Sequence, residues 1–173
     1  MQTEYECKIL NIDVDKTKNL LKELGAEFIQ EKNQRRYVYP ISENSWLRLR
    51  DEKNKVTLTV KEIISNDIEG TKELEVNVND FESTHLILSK VGITEKGYQE
   101  NKRLSYKFNS CDIEIDFWPK LSPYLEIEGE SKKLVESTVK LLGYTMQDVS
   151  YKSTMDLYRG IGIDLNKIKT LKF

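Results

Sequence analysis

The sequence predicts an α+β chain built on an antiparallel β-sheet, and three observations predict it. Seven short segments alternate charged and apolar residues, the period of a strand with two different faces. Three stretches of helical period lie among them, each followed by a glycine that can stop a helix. The 173 residues hold no linker, low-complexity tract or short repeat, so one domain spans 1–173, with 155–173 as a tail packed on it.

In chain order, the first strand reads Glu4-Tyr5-Glu6-Cys7-Lys8-Ile9. Residues 15–24 then place Leu20, Leu21 and Leu24 on one helical face, and Gly25 ends them. Residues 33–39 (NQRRYVY) are strand-like with ambiguous faces. Trp46–Arg50 and Val56–Lys61 form two strands joined by a turn-like Asp-Glu-Lys-Asn, and Glu73–Val76 is the next. A helix over 80–91 opens on a capping Asp and stops at Gly92. Strands at 103–108, 112–117 and 124–128 follow, with Trp118-Pro119 ending the second of these. A helix over 131–142 starts at Ser131 and stops at Gly143, and a short one falls around Met155–Arg159.

Charge narrows the function. With 27 basic and 29 acidic side chains the formal net charge is -2, without the basic excess of a general nucleic-acid binder. No apolar run approaches the roughly 20 residues that span a bilayer, and the charged amino terminus is not expected to act as a signal peptide. The chain is therefore expected in the cytoplasm, off membranes, as a monomer or homodimer. Cys7 and Cys111 are expected to be buried free thiols.

The polar faces of the strands are unusually restricted. They read Glu, Glu, Lys; Arg, Arg; Thr, Thr, Lys; Glu, Glu; Arg, Ser, Lys; Asp, Glu, Asp; and Glu, Glu. Two architectures produce this: an open sheet with a solvated charged face, or a closed barrel with charges inside and apolar residues outside under helices. In the barrel, Arg48, Arg50, Lys61 and Arg103 suit phosphate oxygens. Glu4, Glu6, Asp116, Glu126 and Glu128 suit Mg²⁺ or Mn²⁺, hard ions that take carboxylate oxygen.

The ExExK pattern of Glu4, Glu6 and Lys8 resembles the signature of the CYTH superfamily, the triphosphate tunnel metalloenzymes. Arg48-x-Arg50, Lys61, Glu73-x-Glu75, Arg103, Asp116 and Glu126-x-Glu128 follow in the family's order, so the resemblance covers roughly residues 4 to 142. It implies an eight-stranded antiparallel tunnel with flanking helices. It also implies a triphosphate compound as partner, such as ATP, thiamine triphosphate or tripolyphosphate. Lys8, Arg48, Arg50, Lys61 and Arg103 would hold phosphate. Glu4, Glu6, Glu126 and Glu128, with Asp116 near them, would hold Mg or Mn. Glu73, Glu75 and Glu114 are further lumen candidates, and Tyr37 or Tyr39 would pair catalytically with Lys8. The sequence departs from the family's K-x-R pattern at Asn101, with Lys102 expected to face away from Arg103. His85, within a helical pattern, is expected to be structural. The reaction implied is hydrolysis of a triphosphate. The alternatives are cyclisation of ATP to cyclic AMP, as in class IV adenylyl cyclases, and binding without turnover.

Overall fold

The computed structural model describes residues 1–173. Eight strands carry the architecture: β1 (Gln2–Ile9), β2 (Glu27–Pro40), β3 (Ser45–Asp51), β4 (Val56–Ile63), β5 (Thr71–Val78), β6 (Gly97–Phe108), β7 (Cys111–Phe117) and β8 (Tyr124–Gly129). They pair in the order β6-β2-β3-β4-β5-β1-β8-β7, and β7 pairs back onto β6. The sheet therefore closes into an antiparallel barrel, the second of the two architectures open to the sequence.

Closure depends on β1, which divides its pairing. Gln2–Glu4 pairs with β5, whereas Tyr5–Ile9 pairs with β8. Beyond β5 the freed edge is taken over by the Ile68 carbonyl, which accepts from Glu6 N–H at 3.0 Å, and by β9 (Val149–Ser150). Strands β2 and β6 are longer than the alternation predicts, because a bulge between Phe28 and Gln30 breaks the period while the ladder continues to Lys107.

Helices α1 (Val14–Glu23), α2 (Phe81–Lys90), α3 (Lys132–Leu141) and α4 (Thr154–Gly160) fall within a residue of the predicted stretches. The caps Asp13, Asp80, Ser131 and Ser153 each accept from the backbone N–H three residues on. Gly25 and Gly143 take φ of 73° and 82° just past α1 and α3, a left-handed conformation that glycine adopts without Cβ strain. None of the helices is long and apolar enough to cross a membrane.

The hydrophobic core lies outside the barrel. Cys7, Ile9, Ile113, Ile115, Leu125 and Ile127 project outward from β1, β7 and β8, under Leu21 of α1 and Val135 and Val139 of α3. A smaller cluster packs Tyr39, Leu47 and Leu49 against Phe81 and Leu88 of α2. The tail brings α4, a 3₁₀ turn (Leu165–Lys167) and β10 (Thr170–Leu171) onto Trp118 and Tyr124, with β10 lying parallel to β6. Cys7 and Cys111 are both free and buried, and β7 ends at Phe117, just before Trp118-Pro119.

Because the apolar layer is external, its residues carry the stability. Ile127, fully buried under α3, should cost about 3 kcal/mol when changed to Ala. Val76, 52% exposed on β5, should cost less than about 0.5 kcal/mol. Urea unfolding of the two variants checks the contrast, and equal costs would contradict an external core.

Candidate functional site

Alternate side chains of a closed barrel point inward, and the register shows which. Cross-strand partners pass round the barrel as Lys8↔Glu126, Glu126↔Glu114, Glu114↔Ser105, Arg103↔Lys32, Arg36↔Arg50, Arg48↔Thr59 and Lys61↔Glu73. Directly opposite residues share a face, so this charged series is one inner surface.

The lumen is an ion-pair network. Lys61 Nζ donates to both oxygens of Glu4 at 2.8 Å and lies 3.0 Å from Glu73. Lys8 Nζ bridges Glu6 and Glu126 at 3.2 Å each. Arg103 Nε donates to Asp116 Oδ1 at 2.8 Å and its Nη2 to Glu126 Oε1 at 2.9 Å. Arg48 and Arg50 each approach Glu75 at 3.5 Å, and Thr59 donates to Glu75 at 2.8 Å. Arg50 Nε lies 3.1 Å from Glu52, which also takes Lys32 at 3.2 Å and Gln34 at 2.7 Å. Glu73 and Glu75 therefore serve as counter-ions of the basic side, and Glu114 sits 4.0 Å from Arg103.

Burial and this network set the charges. Burial works against a charged Lys8, but Glu6 and Glu126 outweigh it and keep Nζ protonated. Burial likewise opposes charge on Glu126, which Lys8 and Arg103 hold well below the usual carboxylate range. Other carboxylates are pushed the opposite way. Burial raises Glu4 despite Lys61, and raises Asp116 despite Arg103. Burial also pushes Glu114 up to about 7, and burial with repulsion from Glu6 and Glu126 pushes Glu128 to about 7. Among the basic groups, burial and then Arg48 bring Arg50 down to about 10.

These carboxylates fit a divalent cation. Glu6 and Glu128 are cross-strand partners, and Glu126 lies on the same face two residues before Glu128. Their mutual repulsion is what a hard cation would relieve, and their donors are all carboxylate oxygen. They are not gathered into a ready cage, since no three acidic side chains converge on one point. Lys8 pairs with Glu6 and Glu126, and Arg103 with Glu126.

All of Glu4, Glu6, Lys8, Arg48, Arg50, Lys61, Glu73, Glu75, Arg103, Glu114, Asp116, Glu126 and Glu128 fall on the inner surface or in its ion pairs. Tyr37 and Tyr39 do not, and the expected pairing with Lys8 is corrected. Gln34 and Arg36 point inward, so the odd-numbered neighbours face out. There Tyr37 stacks on His85 at 4.0 Å between ring centroids, and Tyr39 Oη bonds His85 Nδ1 at 2.9 Å. The tyrosine beside Lys8 is Tyr124, buried and opposite Asp116, with its pKa raised by burial and then by Asp116. Its period-two spacing from Glu126 and Glu128 was the available signal. Lys32, Gln34, Arg36 and Glu52 also belong to the lumen and stood outside the sequence motifs. Asn101 faces inward, 1% exposed, and donates to Asp116 Oδ1 at 3.2 Å. Lys102 faces out, over the Phe173 ring at 4.9 Å.

The chain is thus a closed antiparallel barrel with an ion-paired, charged inner face. Residues 2–157 match the family model of the CYTH domain, and the chain belongs to that family. A Methanocaldococcus jannaschii protein named "Putative adenylate cyclase MJ0240" is 29% identical over 174 residues, covering 91% of this chain and 99% of the relative. The PH1012 protein of Pyrococcus horikoshii superposes with a TM-score of 0.79 at 27% identity, over 89% of this chain and 98% of its own. A conserved hypothetical protein of Pyrococcus furiosus also gives 0.79, at 25% identity, over 90% of this chain and 99% of its own.

The raised carboxylates have a stability consequence. Glu128 moves from an ordinary 4.5 to about 7 in the fold. The folded chain therefore binds a proton there that the unfolded chain has released, and stability falls as pH rises from about 4.5 to about 7. Glu128→Gln in metal-free buffer should unfold later than wild type at pH 8, by on the order of 2 kcal/mol, with the difference gone near pH 4.5. Denaturant unfolding across that range measures it, and a variant less stable at pH 8 contradicts it.

Proposed function

We propose that the lumen binds a triphosphate chain together with Mg²⁺ or Mn²⁺ and that the protein hydrolyses it. The observation that carries this is the concentration of cations and carboxylates on the inner face of one closed barrel. Arg48 and Arg50, with Lys61 and Arg103, supply donors for phosphate oxygens. Glu4, Glu6, Asp116, Glu126 and Glu128 supply carboxylate oxygens for the metal. When bound, the metal neutralises charge on the phosphate oxygens and on the leaving group.

The chain's own side chains orient and neutralise. Lys8, held protonated by Glu6 and Glu126, acts as a donor to a phosphoryl oxygen rather than as a base. Tyr124 stands beside it in the role expected of Tyr37 or Tyr39. Arg50 and Arg48 give up Glu75, at its 3.5 Å contacts, for oxygens of the chain. Glu114, with its pKa near 7, is suited to take a proton from attacking water.

A second reaction, cyclisation of ATP, is favoured by the name of the M. jannaschii relative and by Trp46. That ring shares the lumen face of β3 with Arg48, opposite Lys61 in register, half-buried and suited to stack on a base. Purified protein incubated with tripolyphosphate, thiamine triphosphate and ATP, each with Mg²⁺ or Mn²⁺, separates the two. Orthophosphate release is expected, whereas cyclic AMP with pyrophosphate would establish the cyclase instead. Replacing Glu126 and Glu128 together by Ala should lower metal-dependent turnover by at least about 100-fold, with far-UV circular dichroism unchanged. Full activity of that variant would displace the metal assignment.

A further inference from the structure

Seven buried or half-buried cations line the lumen, and six of them have a carboxylate within 4.0 Å: Lys8, Lys32, Arg48, Arg50, Lys61 and Arg103. Arg36 has none. Its residue is 8% exposed, and Nη2 donates only to the Gln34 amide oxygen at 3.0 Å and to the Asn101 amide oxygen. Its Nε is buried without any partner. Neutral amides orient a guanidinium without cancelling its charge, and its nearest charged neighbours make matters worse. Arg50 is its cross-strand partner. Burial, then Arg48, Arg50 and Arg103, depress its pKa, with Asp116 the opposing influence.

The arrangement is nevertheless built. Asn101 is turned by its donation to Asp116 at 3.2 Å, which leaves its carbonyl for Arg36. The guanidinium lies over the Trp118 ring, 4.7 Å from the centroid, and Trp118 Nε1 is another buried donor without a partner. Arg48 Nε is a third. Orphaned donors around an uncompensated buried cation are the complement of an anion, since each such group is costly unless something accepts from it.

We propose that Arg36, oriented by Gln34 and Asn101 over Trp118, is an anion-binding residue of the lumen that takes one phosphoryl group of the bound chain. This rests on the triphosphate reading above and adds a contact from β2, a strand that carries none of the basic positions in the sequence motifs.

The test uses the full chain with Mg²⁺ and inorganic tripolyphosphate, by titration calorimetry and thermal unfolding. Arg36→Gln should bind tripolyphosphate roughly 10- to 100-fold more weakly. The ligand-free variant should unfold no earlier than wild type, because it loses a buried uncompensated charge. Adding Asn101→Lys to Arg36→Gln returns a cation to the same corner and should recover most of the affinity. Wild-type affinity in Arg36→Gln overturns the proposal. So does weaker binding that comes with earlier ligand-free unfolding and is not restored by Asn101→Lys, which would make Arg36 a structural tie. If the wild-type chain binds no tripolyphosphate, the triphosphate reading itself fails, a result distinct from wild type and variant binding alike.

Discussion

Charge balance inside a closed barrel is the constraint on which the rest of this structure depends. Closure removes most bulk water from the inner face, and a charge left there without a partner is expensive. The strands meet the cost by interleaving signs. Lys8 stands between Glu6 and Glu126, Lys61 between Glu4 and Glu73, and Arg103 between Asp116 and Glu126. These bridges also help fix register. A slip of one residue would turn the carboxylates into the apolar layer under α1 and α3 and bring Ile113, Ile115 and Ile127 into the lumen.

The architecture is consequently inverted relative to an ordinary small barrel. Folding is driven from outside, where helices cover the apolar faces of β1, β7, β8 and β3. The inside is held rather than driven. Glu114 and Glu128 are kept near neutral pH and Arg50 is brought down to about 10. Such groups are unfavourable for the empty fold, and sites that concentrate them are usually functional.

The alternation of charged and apolar residues was enough to read the inner faces of β1, β3, β4, β5, β7 and β8, because a period of two admits only two choices and most of the acids and bases lie on one side, with Asp51, Glu62 and Lys72 at the strand ends on the other. It failed at β2. There Gln34-Arg35-Arg36-Tyr37 offers a charge at either parity. The choice is made by α2, whose Phe81 and His85 stack on Tyr37 and draw the tyrosines outward. Glu52 lies one residue past β3, beyond the alternating segment, yet it continues the series from Arg48 and Arg50. Closure was not legible in the alternation alone, which admitted an open sheet as well; the resemblance implied it, and it rests on β6 returning to β7 and on β1 changing partner midway, both pairings between segments remote in sequence.

The same ion pairs that balance the lumen would also connect the two kinds of ligand proposed for it. A triphosphate entering as proposed takes Arg48, Arg50 and Lys61 from Glu75, Glu52, Glu73 and Glu4, leaving carboxylates uncompensated. A divalent cation taking Glu4, Glu6, Glu126 and Glu128 leaves Lys8, Lys61 and Arg103 short of anions. Lys61 belongs to both lists, through Glu4 and through Glu73. On the proposed reading each ligand frees groups that the other requires, Glu4 in one direction and Lys8, Lys61 and Arg103 in the other, and by linkage whatever one gains from the other is mutual and equal. On this account the cations and carboxylates are not two sites placed side by side. They are one ion-paired network, which on the proposed reading exchanges its internal pairs for a metal and a phosphate chain together.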